Sequence, residues 1–239
     1  MYKETKIRSV VKTISWRILA TVTTISLVYI FIGDTTIAFT VGGIEVFLKM
    51  LIYFFHERVW DKLKFGRHEI QPFVVWLTGL ARSGKSAIGK ELATMLMEKG
   101  LKVEHLDGHS VRDLFPQTGF SKNEVNQHIE RVGYLASKLE NQGVFVVASF
   151  LSPFKESREF VKNNSKNFVE VHISTPVEVC EKNDDKGIYK KARMGEVENF
   201  PGINVDYETP INPDITIDTT NISNTEAADK IFNHLKKYI

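Results

Sequence analysis

Phe73-Val-Val-Trp-Leu-Thr-Gly79-Leu80-Ala81-Arg82-Ser83-Gly84-Lys85-Ser86 is the stretch that decides the fold. Apolar residues dominate from Phe73 to Thr78, which predicts a buried strand, and the strand opens into Gly79-x-x-x-x-Gly84-Lys85-Ser86. That spacing is the phosphate-binding loop pattern. Its glycines let main-chain N–H groups close around an anion, Lys85 brings a mobile charge to the terminal phosphates, and Ser86 can hold Mg²⁺ at the start of the next helix. The expected ligand is ATP with Mg²⁺, and the expected contacts are Gly79, Leu80, Ala81, Arg82, Ser83, Gly84, Lys85 and Ser86.

Downstream of the loop, strands alternate with helices. Lys85 to Lys99 carries Ile88, Leu92, Met95 and Leu96 at helical spacing, and Gly100 stops it. Lys102 to Leu106 reads as a second strand that delivers Asp107-Gly108 at its carboxyl end, the end at which open α/β sheets bind ligands. Asp107 there can orient the metal, take the proton from an attacking hydroxyl, or cap the next turn. Helix and loop follow from Val111 through Phe115-Pro116 to Gly119-Phe120. Ser121-x-x-Glu124 then opens a helix as a capping box, with Ile129, Val132, Leu135 and Leu139 on one face up to about Asn141. Val144 to Ser149, Phe168 to Ser174 and Asp214 to Asp218 are further strands, Pro176 starts a short helix, and Ser223-x-x-Glu226 caps the last one. The expected class is α/β, with a parallel sheet of about five strands covered by helices. Between Asn183 and Pro210 a basic, glycine-bearing segment, with Lys186, Lys190, Lys191 and Arg193, has little core pattern. It reads as a mobile lid over a polyanion or as a solvated helix face.

Upstream, two apolar runs, Ile14 to Ile32 and Thr36 to Phe55, flank Gly33-Asp34, and each approaches the ~20 residues a helix needs to cross a bilayer. Lys3, Lys6, Arg8 and Lys12 precede the first run and Arg58, Lys62, Lys64 and Arg67 follow the second. The positive-inside rule therefore puts both ends in the cytoplasm. Glu45 and Lys49 are spaced to pair along one helix face, Arg17 can snorkel, and Gly42-Gly43 favours self-association, so a homo-oligomer is compatible. The pattern Arg8-Ser-Val-Val-Lys-Thr-Ile-Ser-Trp-Arg17 with Glu57-Arg58-Val-Trp60-Asp-Lys62 resembles a family of two-helix membrane domains of unknown function, and the resemblance implies membrane residence. Residues 56–71 read as interfacial exit and linker. The expected organisation is a transmembrane hairpin over 1–67 and a P-loop kinase domain over 68–239.

A net charge of +2 gives no reason to expect nucleic acid as a partner, and the single cysteine, Cys180, excludes an internal disulfide framework. In Pro-Val-Glu-Val-Cys it reads as a small buried helix residue.

Five motifs in order, Gly79 to Ser86, Leu106-Asp-Gly108 with Val111-Arg112, Gly119-Phe120-Ser121, Phe150-Leu-Ser-Pro-Phe154, and Lys186-Gly-Ile-Tyr-Lys-Lys-Ala-Arg193 to Asn199-Phe200 with Gly202-Ile203, resemble the adenylyl-sulfate kinases. The resemblance implies ATP-dependent phosphorylation of the ribose 3′-hydroxyl of adenylyl sulfate. It places Lys85 and the loop on ATP, Ser86 and Asp107 on the metal, and Arg112, Arg131 and Lys191 on the anionic acceptor. It also implies Phe120 and Phe200 stacked on the acceptor's adenine, and Ser152 as the serine that family descriptions label a phosphoserine intermediate. This chain departs from the family pattern on the acceptor side, with His109 in place of an acid, Ser110 in place of Asn, and Val125-Asn-Gln-His128-Ile-Glu130-Arg131 in place of an Arg-x-x-Asn-Ile-Arg-Arg-like run. A related kinase for another small nucleotide ester, or a nucleotide-binding scaffold, are the other functions open to such a chain.

Overall fold

A computed structural model describes residues 2–4, 6–31, 35–63, 65, 67–69, 71–115 and 119–239. Gly33-Asp34 and Pro116 to Thr118 lie outside the described residues, as do the surroundings of Gly42-Gly43. Two compact units divide between Ile70 and Gln71.

In the first unit β1 (Tyr2–Glu4) leads into α1 (Lys6–Ile30), then α2 (Thr35–Lys62) and β2 (Arg67–Glu69), with β1 and β2 antiparallel. The two helices run side by side in opposite directions. Thr24 donates to Glu45 at 2.9 Å, Trp16 sits edge-on to Tyr53 at 4.9 Å, and Lys12 pairs with Glu57 at 2.6 Å. Glu45 is also paired with Lys49. The stretch from His56 does not become a linker at once: α2 continues to Lys62, because no Gly or Pro interrupts it and its final carbonyls find a donor. That donor is Arg8, fully buried, whose guanidinium reaches the carbonyls of Trp60, Leu63 (2.9 Å) and Phe65 (2.7 Å). Among the described residues one segment, Ile7–Val28 of α1, is long and apolar enough to cross a membrane.

The second unit runs β3 (Val74–Gly79), α3 (Lys85–Glu98), β4 (Val103–Asp107), α4 (Gly108–Asp113), α5 (Lys122–Asn141), β5 (Phe145–Ser149), α6 (Lys155–Asn164), β6 (Phe168–Ile173), α7 (Val177–Lys182), α8 (Ile188–Arg193), β7 (Ile215–Ile217) and α9 (Asn224–Leu235). Its five strands form one parallel sheet in the order β4-β5-β3-β6-β7. β3 and β5 are buried along their whole length, as strands covered by helices on both faces must be. Their residues Val74, Trp76, Val146 and Ala148 meet Ile129, Val132 and Ala136 of α5 in the main core. Both capping boxes form, at Ser121 with Glu124 and at Ser223 with Glu226. α6 has no counterpart in the hydrophobic pattern, since the residues it buries are Ser157, Arg158 and Val161.

The connection from β3 travels toward β4 while that from β6 travels toward β7. The carboxyl ends of the neighbours β3 and β6 therefore form the switch point at which such sheets open a crevice. At its base Gly79 holds φ at +154°, and a Cβ there would sit 2.4 Å from the Ile173 carbonyl oxygen. Only glycine fits that approach of β3 to β6.

Candidate active site

The phosphate-binding loop follows β3 at this switch point. Gly84, at φ +93°, makes the left-handed step into α3, whose first-turn N–H groups are left without intrahelical partners and face the loop. Lys85 lies 8% exposed, its Nζ donating to the Leu80 carbonyl at 2.6 Å and to Ser83 Oγ at 3.3 Å. Burial pushes its pKa down to about 8, against the opposing pull of Cys180 and Asp107. Ser86 is exposed.

Asp107 ends β4 and caps α4, its Oδ1 accepting from the His109 N–H at 3.0 Å, so the capping and site readings hold together. Burial pushes its carboxyl up, but the Ser86 hydroxyl and the His109 N–H favour the anion more and leave the pKa below the ordinary carboxylate value. Its other oxygen, Oδ2, is buried with no hydrogen-bond partner among the described residues. A buried anionic oxygen beside the loop serine is what a hard cation such as Mg²⁺ takes as a ligand.

Beyond Asp107 lies a wall of aromatic and basic side chains. Arg112 donates to the Gly119 carbonyl at 2.7 Å and lies 4.0 Å over the ring of Phe120, which is 61% exposed. Arg131 on α5 is exposed. His128, one turn earlier, is only 4% exposed, edge-on to Phe115 at 5.9 Å and to Phe150 at 6.2 Å.

Two further residues in the sequence-derived set are buried. Ser152 is 1% exposed at φ +37°, its hydroxyl accepting from Trp76 Nε1 at 3.0 Å and donating to Thr78 Oγ1 at 2.8 Å, while its carbonyl accepts from Arg158 at 2.7 Å. Phe200 is 7% exposed and edge-on to Tyr189 at 5.0 Å. With Cys180, Tyr189 and Ala192 it forms a small core inside the segment whose sequence shows little core pattern. Lys191 is exposed, and Arg193 is held in a two-pronged pair with Glu181, both contacts at 2.9 Å.

That segment touches the phosphate loop through contacts the sequence does not announce. The Tyr189 hydroxyl donates to the Ala81 carbonyl at 2.8 Å, and Arg82, itself at φ +61°, pairs with Asp185 at 2.7 Å and Asp184 at 3.5 Å. The only advance signals are a basic residue inside the loop and an acidic pair at the start of that segment. A cavity of about 530 Å³ lies at the carboxyl end of β6, bounded by Leu80, Thr175, Val177, Ile203 and Tyr207. The site thus offers an anion cradle, an ionised carboxylate and a basic aromatic wall at one end of the sheet.

Comparison with known proteins gives these features a family. The adenylylsulphate kinase family model matches residues 71–218, and a family described as a predicted membrane protein (DUF2061) matches residues 10–61. The adenylyl-sulfate kinase of Thermodesulfovibrio yellowstonii is 45% identical over 172 residues, which is 71% of this chain and 86% of that protein. That of Microcystis aeruginosa is 43% identical over 162 residues, 67% of this chain and 90% of the other. The Mycobacterium tuberculosis APS kinase in complex with AMPPNP and APS superposes with a TM-score of 0.67 at 34% identity, covering 70% of this chain and 99% of that one. A hexameric APS kinase from Thiobacillus denitrificans gives 0.54 at 29% identity, covering 71% of this chain and 29% of the other. By its motifs, its sheet order and these relatives, the chain belongs to the adenylylsulphate kinase family.

Proposed function

We propose that this protein transfers the γ-phosphoryl group of ATP to the ribose 3′-hydroxyl of adenylyl sulfate. The observation that carries the reading is the convergence, at one sheet end, of the Lys85 cradle, the unengaged Asp107 oxygen and the Arg112–Phe120 wall, in a chain of this family.

The amides of Gly79 to Ser86 bind the β- and γ-phosphates, and Lys85 exchanges the Leu80 carbonyl for phosphate oxygen when ATP arrives. Ser86 and Asp107 hold Mg²⁺, which when bound neutralises charge on the phosphates. Asp107, with its pKa below the ordinary value, is a better cation ligand than base, and a loose transition state asks for little proton abstraction before the P–O bond breaks. The acceptor oxygen bonds to the γ-phosphorus as the bond to the β-phosphate oxygen breaks, ADP leaves, and the hydroxyl proton passes late to solvent or to Asp107. Arg112, Arg131 and Lys191 supply positive charge to the acceptor, and Phe120 stacks on its adenine. Phe200 braces Tyr189 and so the lid over the loop. Ser152 shapes the turn after β5, since its hydroxyl is committed on both sides. Rate enhancement comes from positioning and charge, without a covalent enzyme intermediate.

The first unit anchors the kinase to the membrane as a two-helix hairpin with both ends cytoplasmic, where ATP is available. The match to the membrane family, the apolar span of α1 and the flanking cations support this reading. Self-association through the hairpin fits the same anchor.

The purified full chain, given ATP, Mg²⁺ and a panel of nucleotide acceptors, tests the reaction. Adenylyl sulfate is expected to gain a 3′-phosphate. Turnover of another acceptor with none of adenylyl sulfate would overturn the assignment.

A further inference from the structure

The phosphate loop carries a second cation besides Lys85. Arg82 is the only charged residue between Gly79 and Gly84. It stands at φ +61°, a left-handed angle that a residue with a side chain adopts at a cost and that recurs where function holds it.

Two acids of the turn between α7 and α8 engage its guanidinium, and the two contacts differ in kind. Nε faces Asp184 Oδ1 at 3.5 Å, and the Asp184 side chain is only 2% exposed. That oxygen makes no hydrogen bond among the described residues, so Arg82 is the charge that compensates it. The other Asp184 oxygen accepts from the Tyr189 N–H at 2.8 Å, and the Tyr189 hydroxyl donates to the carbonyl of Ala81, the residue before Arg82. This inner contact is fixed from both ends. The outer one is not: Nη2 reaches Asp185 at 2.7 Å, and the Asp185 side chain is 74% exposed. An ion pair in water contributes little and is readily replaced.

A guanidinium steered along one edge by a buried acid and occupied along the other by an exposed one is set to exchange the exposed partner for a stronger anion. Nucleotide brings that anion to the loop, because a triphosphate carries several charges and arginine matches phosphate oxygens with paired N–H groups. We propose that the Arg82 side chain is a phosphate-binding group of this kinase, occupied by Asp185 until nucleotide arrives and kept aimed by Asp184. The proposal rests on the assignment of the loop to ATP. Asp185 is thereby a built-in competitor of the nucleotide. A clasp that merely fastened the α7–α8 turn to the loop would have the opposite sign, since cutting it would loosen the site.

The test titrates the full chain in detergent with a non-hydrolysable ATP analogue and Mg²⁺ by calorimetry, with no acceptor present. Arg82→Asn, a residue that tolerates the left-handed angle, is expected to weaken binding about tenfold, and Arg82→Lys, which keeps the charge without the fork, by less. Asp185→Asn is expected to tighten binding about threefold by freeing the arginine. The double variant is expected to stay as weak as Arg82→Asn alone. Unchanged binding in Arg82→Asn, or weaker binding in Asp185→Asn, would overturn the proposal. So would recovery in the double variant, which would reduce Arg82 to neutralising Asp185. The expected pattern in a protein that fails to phosphorylate adenylyl sulfate would support Arg82 and sink the proposed reaction; the opposite pattern in a protein that does phosphorylate it would leave the reaction intact.

Discussion

The two halves of the cleft are built on different principles. On the donor side the parts are main chain and one lysine: Lys85 is buried with its ammonium bonded inside the loop, and Gly84 holds a left-handed backbone angle. On the acceptor side the parts are side chains: an exposed Phe120 with Arg112 over its ring, and a buried His128 whose Nδ1 has no hydrogen-bond partner among the described residues. A cradle of amides serves any triphosphate, so it is fixed by backbone geometry. Recognition of one acceptor among many nucleotides needs groups that only that acceptor completes. The donor side therefore tolerates little change, and the acceptor side is where change alters choice.

The largest expected effect follows from removing the donor side's charge. Lys85→Ala should lower kcat/KM by about 10³-fold, with ATP binding weakened as well, because it deletes a cation aimed at the transferring group. Steady-state rates with adenylyl sulfate as acceptor check this, and ATP consumption equal to that of the unaltered chain would refute the donor-side assignment. Asp107→Asn is next, with a loss of about 10²-fold that added Mg²⁺ partly restores if the carboxylate is a metal ligand; a Mg²⁺ titration of both proteins separates that role from pure acid–base work. A third prediction concerns pH. Lys85 in the empty protein loses its proton near pH 8, below the ordinary value, and nucleotide favours the charged form. The ATP KM should accordingly be flat below pH 7 and climb through pH 8 and above, by at most about tenfold per unit, while the acceptor KM stays level there. Phe120→Ala gives the smallest effect. Losing one stacking face should raise the acceptor KM by about fivefold and leave the ATP KM alone, and a change in the latter would blur the contrast between the two sides.

What the sequence disclosed followed the same division. The phosphate loop is a contiguous run whose glycines and lysine work through local backbone, and the capping boxes at Ser121 and Ser223 are equally local, so all three were legible. Asp107 was readable because strand ends are where α/β sheets present ligands. Contacts between segments far apart in the chain were not. Tyr189 on Ala81 and Arg82 on Asp184 join positions about a hundred residues apart. The core of Cys180, Tyr189, Ala192 and Phe200 hid within a segment rich in lysine. α6 escaped because the face it buries is half polar: Arg158 is paid for by Glu170 at 3.1 Å and by the Ser152 carbonyl, neither visible as periodicity. Phe200 and Ser152 carry family motifs, yet motif membership says nothing about depth, and both lie inside.

The near-collision at Gly79 has a wider consequence. Where the β3 and β6 main chains lie side by side beneath the phosphate loop, there is no room for a single methyl group. Reshaping the adjoining cavity cannot proceed through this residue; it has to come from the rim, at Leu80 or Ile203, where side chains rather than backbone define the edge.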